Sequence, residues 1–477
     1  MSDISTTKIA AGIAGVTTCY LSYQFHKYCQ KDYLEGQSLP GLLGQTMYWY
    51  FRETLGLAPS TNMPLFPQDI TKEKVEFCLK LQGAIKNTTN IKAIKNIQQI
   101  GMGEGVNSTV YKIDLAYTND DDTDAPTCFV LKLLAHGFEQ KMIYRIACVP
   151  LNESEFYKSN IAKETGMPVP KCYFVGYEQG RQSFSLMMED MSHCDGGNAN
   201  EINGLSVTNA KEALKIIAKF HATYFNKVRG KAPKFIGRGF DSGRFDLLDM
   251  VCKQNLNNYI NLLKGWEDIG LLRKGTVTDD VTSFLTKYAN TSMTTLRLKT
   301  LKPKELGGDY NYTLIHGDYR GGNIFIDRNN NDELFIYDFA NIHENGIGDD
   351  LSWFFASIDE VVFRDNAKDL LTTYYDEFIS QLKLNNEIDA ANKYTFNRFL
   401  AECSYGSGQM VMVMMAASEG LLKNIDDNDG NKFIAIREQR AWAYRKMFHT
   451  EEMLDLVLAN CDKFPKKDEY EKLLPTV

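Results

Sequence analysis

Leu314-Ile315-His316-Gly317-Asp318-Tyr319-Arg320-Gly321-Gly322-Asn323-Ile324-Phe325-Ile326 is followed by Leu334-Phe335-Ile336-Tyr337-Asp338-Phe339. The short apolar runs read as strands that deliver polar side chains at their ends. Asp318, Asn323 and Asp338 then offer two oxygen ligands and one remaining carboxylate around a point. Magnesium takes oxygen ligands in octahedral geometry and is held by one or two carboxylates together with substrate phosphates. Asp318 is the carboxylate left to accept the proton of an attacking hydroxyl.

Upstream, Gly101-Met102-Gly103-Glu104-Gly105-Val106-Asn107-Ser108 precedes a predicted strand over Val110 to Leu115. Glycines let backbone N–H groups approach phosphate oxygens, and Asn107 and Ser108 add polar donors. The next apolar run, Phe129-Val130-Leu131-Lys132-Leu133-Leu134, carries one charge. A buried ammonium is costly without a carboxylate partner. Downstream stands Glu153-Ser154-Glu155-Phe156-Tyr157, in which Glu155 could close a helix N-cap from its place three residues after Asn152.

In this order, the motifs resemble the aminoglycoside phosphotransferase and choline kinase-like superfamily, cousins of the protein kinases. Gly317 replaces the Arg of the protein-kinase H-R-D sequence and points to the small-molecule branch. The nearest relatives by resemblance are the ecdysteroid kinase-like, or CHK kinase-like, proteins. The resemblance spans about residues 95 to 360, and more weakly the helices to about 450.

The resemblance implies a two-lobed α+β protein kinase-like fold, with a small β-rich N-lobe and a larger, mainly helical C-lobe. It makes Asp318 the catalytic base and Asn323 and Asp338 the magnesium ligands. Lys132 would hold the ATP phosphates with Glu153 as its partner and Glu155 as the runner-up, and Gly101, Gly103, Gly105, Asn107 and Ser108 would form the phosphate loop. The glycine spacing departs from G-x-G-x-x-G, because Gly105 comes early. Arg320 stands where a protein kinase has a phosphate-facing lysine, so it either meets the transferring phosphoryl group or pairs with another loop. His316 would fix the loop through hydrogen bonds. Asp350, with Asp349 as competitor, would brace it. Ser185-Leu186-Met187-Met188-Glu189-Asp190-Met191 would be the hinge that recognises adenine, with Glu189 and Met191 against the nucleotide.

The rest of the chain frames this site. Its 477 residues carry 53 basic and 61 acidic side chains, and a formal charge of −8 gives no footprint for a phosphate backbone. Nucleic acid is therefore not expected as a partner. Ten cysteines without a C-x-x-C pair suggest neither zinc nor a disulfide framework, which fits a cytosolic body. The uncharged stretch Ile9–Phe25 falls short of the roughly 20 apolar residues of a typical span. It is read as a membrane tether, with a helix packed on the body and a targeting peptide as alternatives. Residues 37–68 read as a linker or a surface-hugging arm, and Thr71 to Ala84 as a helix. Asp120-Asp121-Asp122 reads as a solvated hairpin loop. From about Asn209 the pattern turns helical, with His221 as a satisfied core histidine on an apolar face. The expected organisation is an extension over 1–70, an N-lobe over 71–191 and a helical C-lobe over 192–477.

The function this implies is ATP-dependent phosphorylation of a small-molecule hydroxyl, on an ecdysteroid-like, choline-like or other metabolite. The alternative is a noncatalytic kinase-like scaffold at a membrane. The acceptor would be set by the helical lobe, where Met410 to Met415 and the aromatics Trp266, Trp353 and Tyr405 read either as core or as an acceptor wall.

Overall fold

The computed structural model describes residues 39–100, 108–118, 124–135, 137–227, 244–289 and 312–396, with parts of 398–440. The stretch 9–25, the glycine loop 101–107, the acidic run 120–122 and Tyr405 lie outside the described residues. Among those described, no helix is long and apolar enough to cross a membrane.

Strands β1 (Ile91–Ile100), β2 (Ser108–Tyr117), β3 (Cys128–Leu134), β4 (Cys172–Glu178) and β5 (Ser183–Met188) form one antiparallel sheet ordered β1-β2-β3-β5-β4. Side chains alternate across a strand. Phe129, Leu131 and Leu133 therefore share one buried face with Tyr111, Ile113 and Leu115. The helix α2 (Lys72–Leu81) covers that face with Val75, Cys78 and Leu79. Thr71 caps it by accepting the Lys74 N–H at 3.4 Å. Leu81, at the last turn, is exposed. The opposite sheet face presents Val110, Val130 and Lys132 to a cavity, because register sets Val110 opposite Lys132 and Lys132 opposite Leu186.

Ahead of this lobe, residues 39–54 form a helix, α1 (Leu39–Thr54), rather than a linker. Pro40 sits in its first turn, where a missing N–H costs nothing. Tertiary contacts outweigh its weak propensity. On the helix α3 (Phe138–Ala147), Arg145 donates from Nε to Thr46 Oγ1 at 2.9 Å and from Nη1 to Gln45 Oε1 at 2.8 Å. Lys141 of the same helix pairs with Glu53 at 2.8 Å.

The second part is mainly helical. Helices α6 (Val207–Tyr224) and α8 (Glu360–Leu384) share a core with two short antiparallel strand pairs, β6 (Thr313–Ile315) with β9 (His343–Asn345) and β7 (Ile324–Asp327) with β8 (Glu333–Ile336). Met410, Met414 and Met415 lie in a separate core cluster with Trp266 and Trp353. Core packing is thus what these residues do in the fold, and the Arg437 guanidinium stands 5.1 Å over the Trp353 ring.

Near this cluster Glu438 is buried and accepts the Tyr259 hydroxyl at 2.5 Å. Burial pushes its carboxyl up to about 7, against the pull of Tyr259 and Arg437. Between its ordinary value and 7, the folded chain keeps a proton that the unfolded chain has released. Stability therefore falls as pH rises through that window. Denaturant unfolding should show wild type losing on the order of 3 kcal/mol more than Glu438→Gln between pH 4.5 and 7.5. Equal slopes for the two proteins would refute this.

Candidate active site

Lys132 leaves the apolar strand β3 and meets two carboxylates. Its Nζ lies 3.0 and 2.9 Å from Glu153 Oε1 and Oε2, and 2.7 Å from Asp338 Oδ1. Glu153 projects from α4 (Val149–Lys158) and is buried. Glu155, on the same helix, lies instead 3.9 Å from Lys158. Burial opposes the ammonium charge, but Asp338 and Glu153 outweigh it and hold Lys132 above its ordinary range. Burial pushes Glu153 up to about 7 despite Lys132, and the nearby Asp338 charge adds to the rise. For Asp338 burial is outweighed by Lys132, and its carboxyl is held low. Asp338 also takes the left-handed backbone conformation, with φ of 65°. That conformation is uncommon for a residue with a Cβ and turns the chain sharply out of β8.

The loop after β6 is anchored from below. Asp350, on α7 (Gly348–Ser357), accepts the His316 N–H through Oδ2 and the Gly317 N–H through Oδ1, each at 2.7 Å. Asp349 instead bonds the Asn345 side chain at 2.7 Å. His221 meets Asp350 Oδ2 through Nε2 at 3.0 Å and the Tyr374 hydroxyl through Nδ1 at 2.7 Å. It is therefore a fully satisfied buried histidine, and burial keeps it below its ordinary range despite Asp350. Gly317 has φ of +82°, and a Cβ there would lie 2.1 Å from the Asn341 carbonyl oxygen. Only glycine fits that turn without displacing backbone. His316 accepts the Asp318 N–H on Nδ1 at 3.2 Å and so donates from Nε2 to the Tyr337 carbonyl at 3.0 Å. Asn323 donates its amide to the Asp318 carbonyl at 2.8 Å and to Asp318 Oδ2 at 3.0 Å.

Arg320 joins this loop to a second element. Its Nε lies 3.2 and 3.4 Å from the two Asp318 oxygens, while Nη1 donates to Glu201 Oε2 at 3.0 Å. Glu201 belongs to the short helix α5 (Asn198–Asn203) and also accepts the Gly322 N–H at 2.8 Å. Burial would raise the Glu201 carboxyl, but the Arg320 and Arg437 charges keep it low. Nothing in the polar run Asn198-Ala199-Asn200-Glu201 singles this residue out.

A cavity of about 450 Å³ lies between the sheet and this loop. Ser108, Lys132, Glu153, Arg320, Asn323 and Asp338 all line it. Glu189 and Met191 border it after β5. There the Glu189 N–H is spent on the Lys171 carbonyl at 2.8 Å, and the Met191 carbonyl accepts the Cys194 N–H at 2.9 Å. Phe325 and Tyr337, which sequence reasoning did not single out, stack at 4.3 Å and also line the cavity. Their alternation with buried Ile324 and Ile336 was the available signal. Phe156 stacks on Phe339 at 3.6 Å and Phe339 meets His316 at 4.6 Å, which ties the helix bearing Glu153 to the loop bearing Asp318. Gly101, Gly103, Gly105 and Asn107 fall outside the described residues.

Residues 102–387 match the model of the ecdysteroid kinase-like family, more than half of the 477. None of the curated proteins compared with the chain matches it. Solved structures similar to it include the GDP complex of wild-type aminoglycoside 2'-phosphotransferase-IIIa, at 16% identity and TM-score 0.36, covering 78% of this chain and 98% of that one. An aminoglycoside phosphotransferase of Streptomyces rimosus, in complex with ADP and streptomycin, is 13% identical at TM-score 0.36, covering 68% and 96%. The ethanolamine kinase of Plasmodium vivax is 12% identical at TM-score 0.38, covering 74% and 83%.

Proposed function

The chain belongs to the ecdysteroid kinase-like family, and from that premise we propose that it transfers the terminal phosphoryl group of ATP to a hydroxyl of a small molecule. The observation that carries this reading is the convergence of Lys132, Glu153 and Asp338 at one end of a cavity that Arg320 and Asn323 also line. In it, the Lys132 ammonium, oriented by Glu153, holds the nucleotide phosphates. Asp318 orients the acceptor hydroxyl and takes its proton. Arg320 offers its guanidinium to charge developing on the phosphoryl oxygens. The hinge binds the base, since among the described residues the Glu189 carbonyl and the Met191 N–H remain uncommitted. The phosphate loop is proposed at Gly101, Gly103, Gly105, Asn107 and Ser108.

The donor set fits magnesium. Asn323 spends its N–H groups on Asp318 and keeps its carbonyl oxygen, while Asp338 gives Oδ1 to Lys132 and keeps Oδ2. These two residues would hold the ion, which when bound neutralises phosphate charge. The acceptor is proposed to be ecdysteroid-like, choline-like or another metabolite alcohol. The body is proposed to lie in the cytosol, tethered through residues 9–25.

The test is phosphate transfer from radiolabelled ATP to a mixed metabolite extract, with and without magnesium. Magnesium-dependent labelling of one component is the expected result. Nucleotide binding without transfer to any component would favour a noncatalytic kinase-like module, and a folded chain that binds no nucleotide would sink the proposal.

A further inference from the structure

Asp318 and Glu201 divide one guanidinium between them. Arginine ordinarily grips a carboxylate with two parallel N–H groups. Here Arg320 presents Nε to Asp318, at 3.2 and 3.4 Å, while Nη1, on the opposite edge of the guanidinium, is committed to Glu201 Oε2 at 3.0 Å. We infer that Glu201 is a positioning residue for phosphoryl transfer: its carboxylate anchors the edge of the Arg320 guanidinium that faces away from Asp318 and so holds the group at the cavity wall beside it. This rests on the phosphotransferase reading above.

Three independent features show a carboxylate held for its charge and direction. First, Glu201 is completely buried, and a buried carboxylate is unfavourable unless ion-paired; a glutamine of the same shape would fill the space without that cost. Second, the loop is moulded to it. A Cβ on Gly322 would lie 2.7 Å from Glu201 Oε2 and 2.1 Å from Arg320 Nη1, so glycine alone allows the Gly322 N–H to reach the same oxygen. Third, the helix bearing Glu201 is too short to hold itself and is clamped from the C-terminal side. Arg440 donates from Nη1 to the Glu201 carbonyl at 2.8 Å and to the Ser357 carbonyl at 3.0 Å, and from Nη2 to the Ile202 carbonyl at 2.8 Å. Arg437 stands 3.7 Å from Glu201 Oε1 on the side away from Arg320's contact. The Ser357 hydroxyl in turn accepts the Gly321 N–H at 2.8 Å, so the same clamp fixes both Gly321 and Gly322.

The experiment is a double-mutant cycle in the full chain, using radiolabelled ATP and the metabolite extract as acceptor source. Glu201→Gln should lower kcat about 30-fold with the KM for ATP changed by less than about threefold. In an Arg320→Met background the same change should cost less than about threefold more, because its effect runs through Arg320. Glu201→Asp, which keeps the charge at shorter reach, should recover part of the loss, and it carries the cycle if the glutamine variant does not fold. Equal losses in both backgrounds, or a kcat unchanged by Glu201→Gln, would overturn the inference while leaving the kinase reading intact. A wild-type chain that labels no component overturns both.

Discussion

Asp318→Asn is expected to reduce phosphate transfer about 10³-fold while ATP affinity stays within about a factor of three. Asparagine keeps the size of the side chain and an oxygen for the Asn323 amide, which donates to Asp318 Oδ2 at 3.0 Å. The loop itself should not move, because Asp350 holds the His316 and Gly317 amides at 2.7 Å from outside it. What is lost is the anion that takes the hydroxyl proton and balances Arg320. Transfer assays paired with calorimetric ATP titration read the two effects separately. Transfer at near wild-type rates would remove Asp318 from the chemistry, and a parallel collapse of ATP binding would show that the loop had unfolded.

Lys132→Met should lower stability by about 3 kcal/mol at neutral pH and abolish measurable ATP binding. The substitution preserves the apolar stem and removes the ammonium that pairs with both Glu153 and Asp338. Glu153 is already raised to about 7 by burial with Lys132 present. Without that ammonium its folded-state value rises further, so at low pH Glu153 is protonated and the loss is small. As pH climbs toward the raised value the unfolded chain releases the proton first, and the loss grows. Chemical denaturation of the variant at pH 6 and pH 8 should therefore show the larger deficit at pH 8. Adding Glu153→Gln should restore part of the stability and none of the ATP binding, since removing both buried partners costs less than stranding one. A deficit independent of pH would mean that Glu153 is not the group left unpaired.

The legible parts of this fold share one property: their signal is local. β3 runs over Cys128–Leu134, as its apolar run bounded by turn residues indicates, and α2 fills most of the helix read over Thr71 to Ala84. β1 escaped notice because it is an edge strand whose residues are mostly exposed and do not alternate cleanly. The helix α1 was hidden by Gly and Pro in its first turns, which matter less than the Arg145 and Lys141 contacts that dock it.

By itself the sequence determined the order of the motifs, the placement of one lysine in an apolar strand, and the places of Asp318, Asn323 and Asp338 beside short apolar runs. Each follows from spacing along a strand or loop, where the chain's own geometry dictates which side chains emerge together. Tertiary structure alone decided which glutamate of Glu153 and Glu155 turns to Lys132, which aspartate of Asp349 and Asp350 braces the loop, and that Arg320 shares its charge with Glu201. Two acids one or two residues apart on a helix differ only in the face they occupy, and neighbouring elements choose that face. Glu201 meets Arg320 across 119 positions of chain, a distance over which no local pattern carries information and only the folded core brings the charges together.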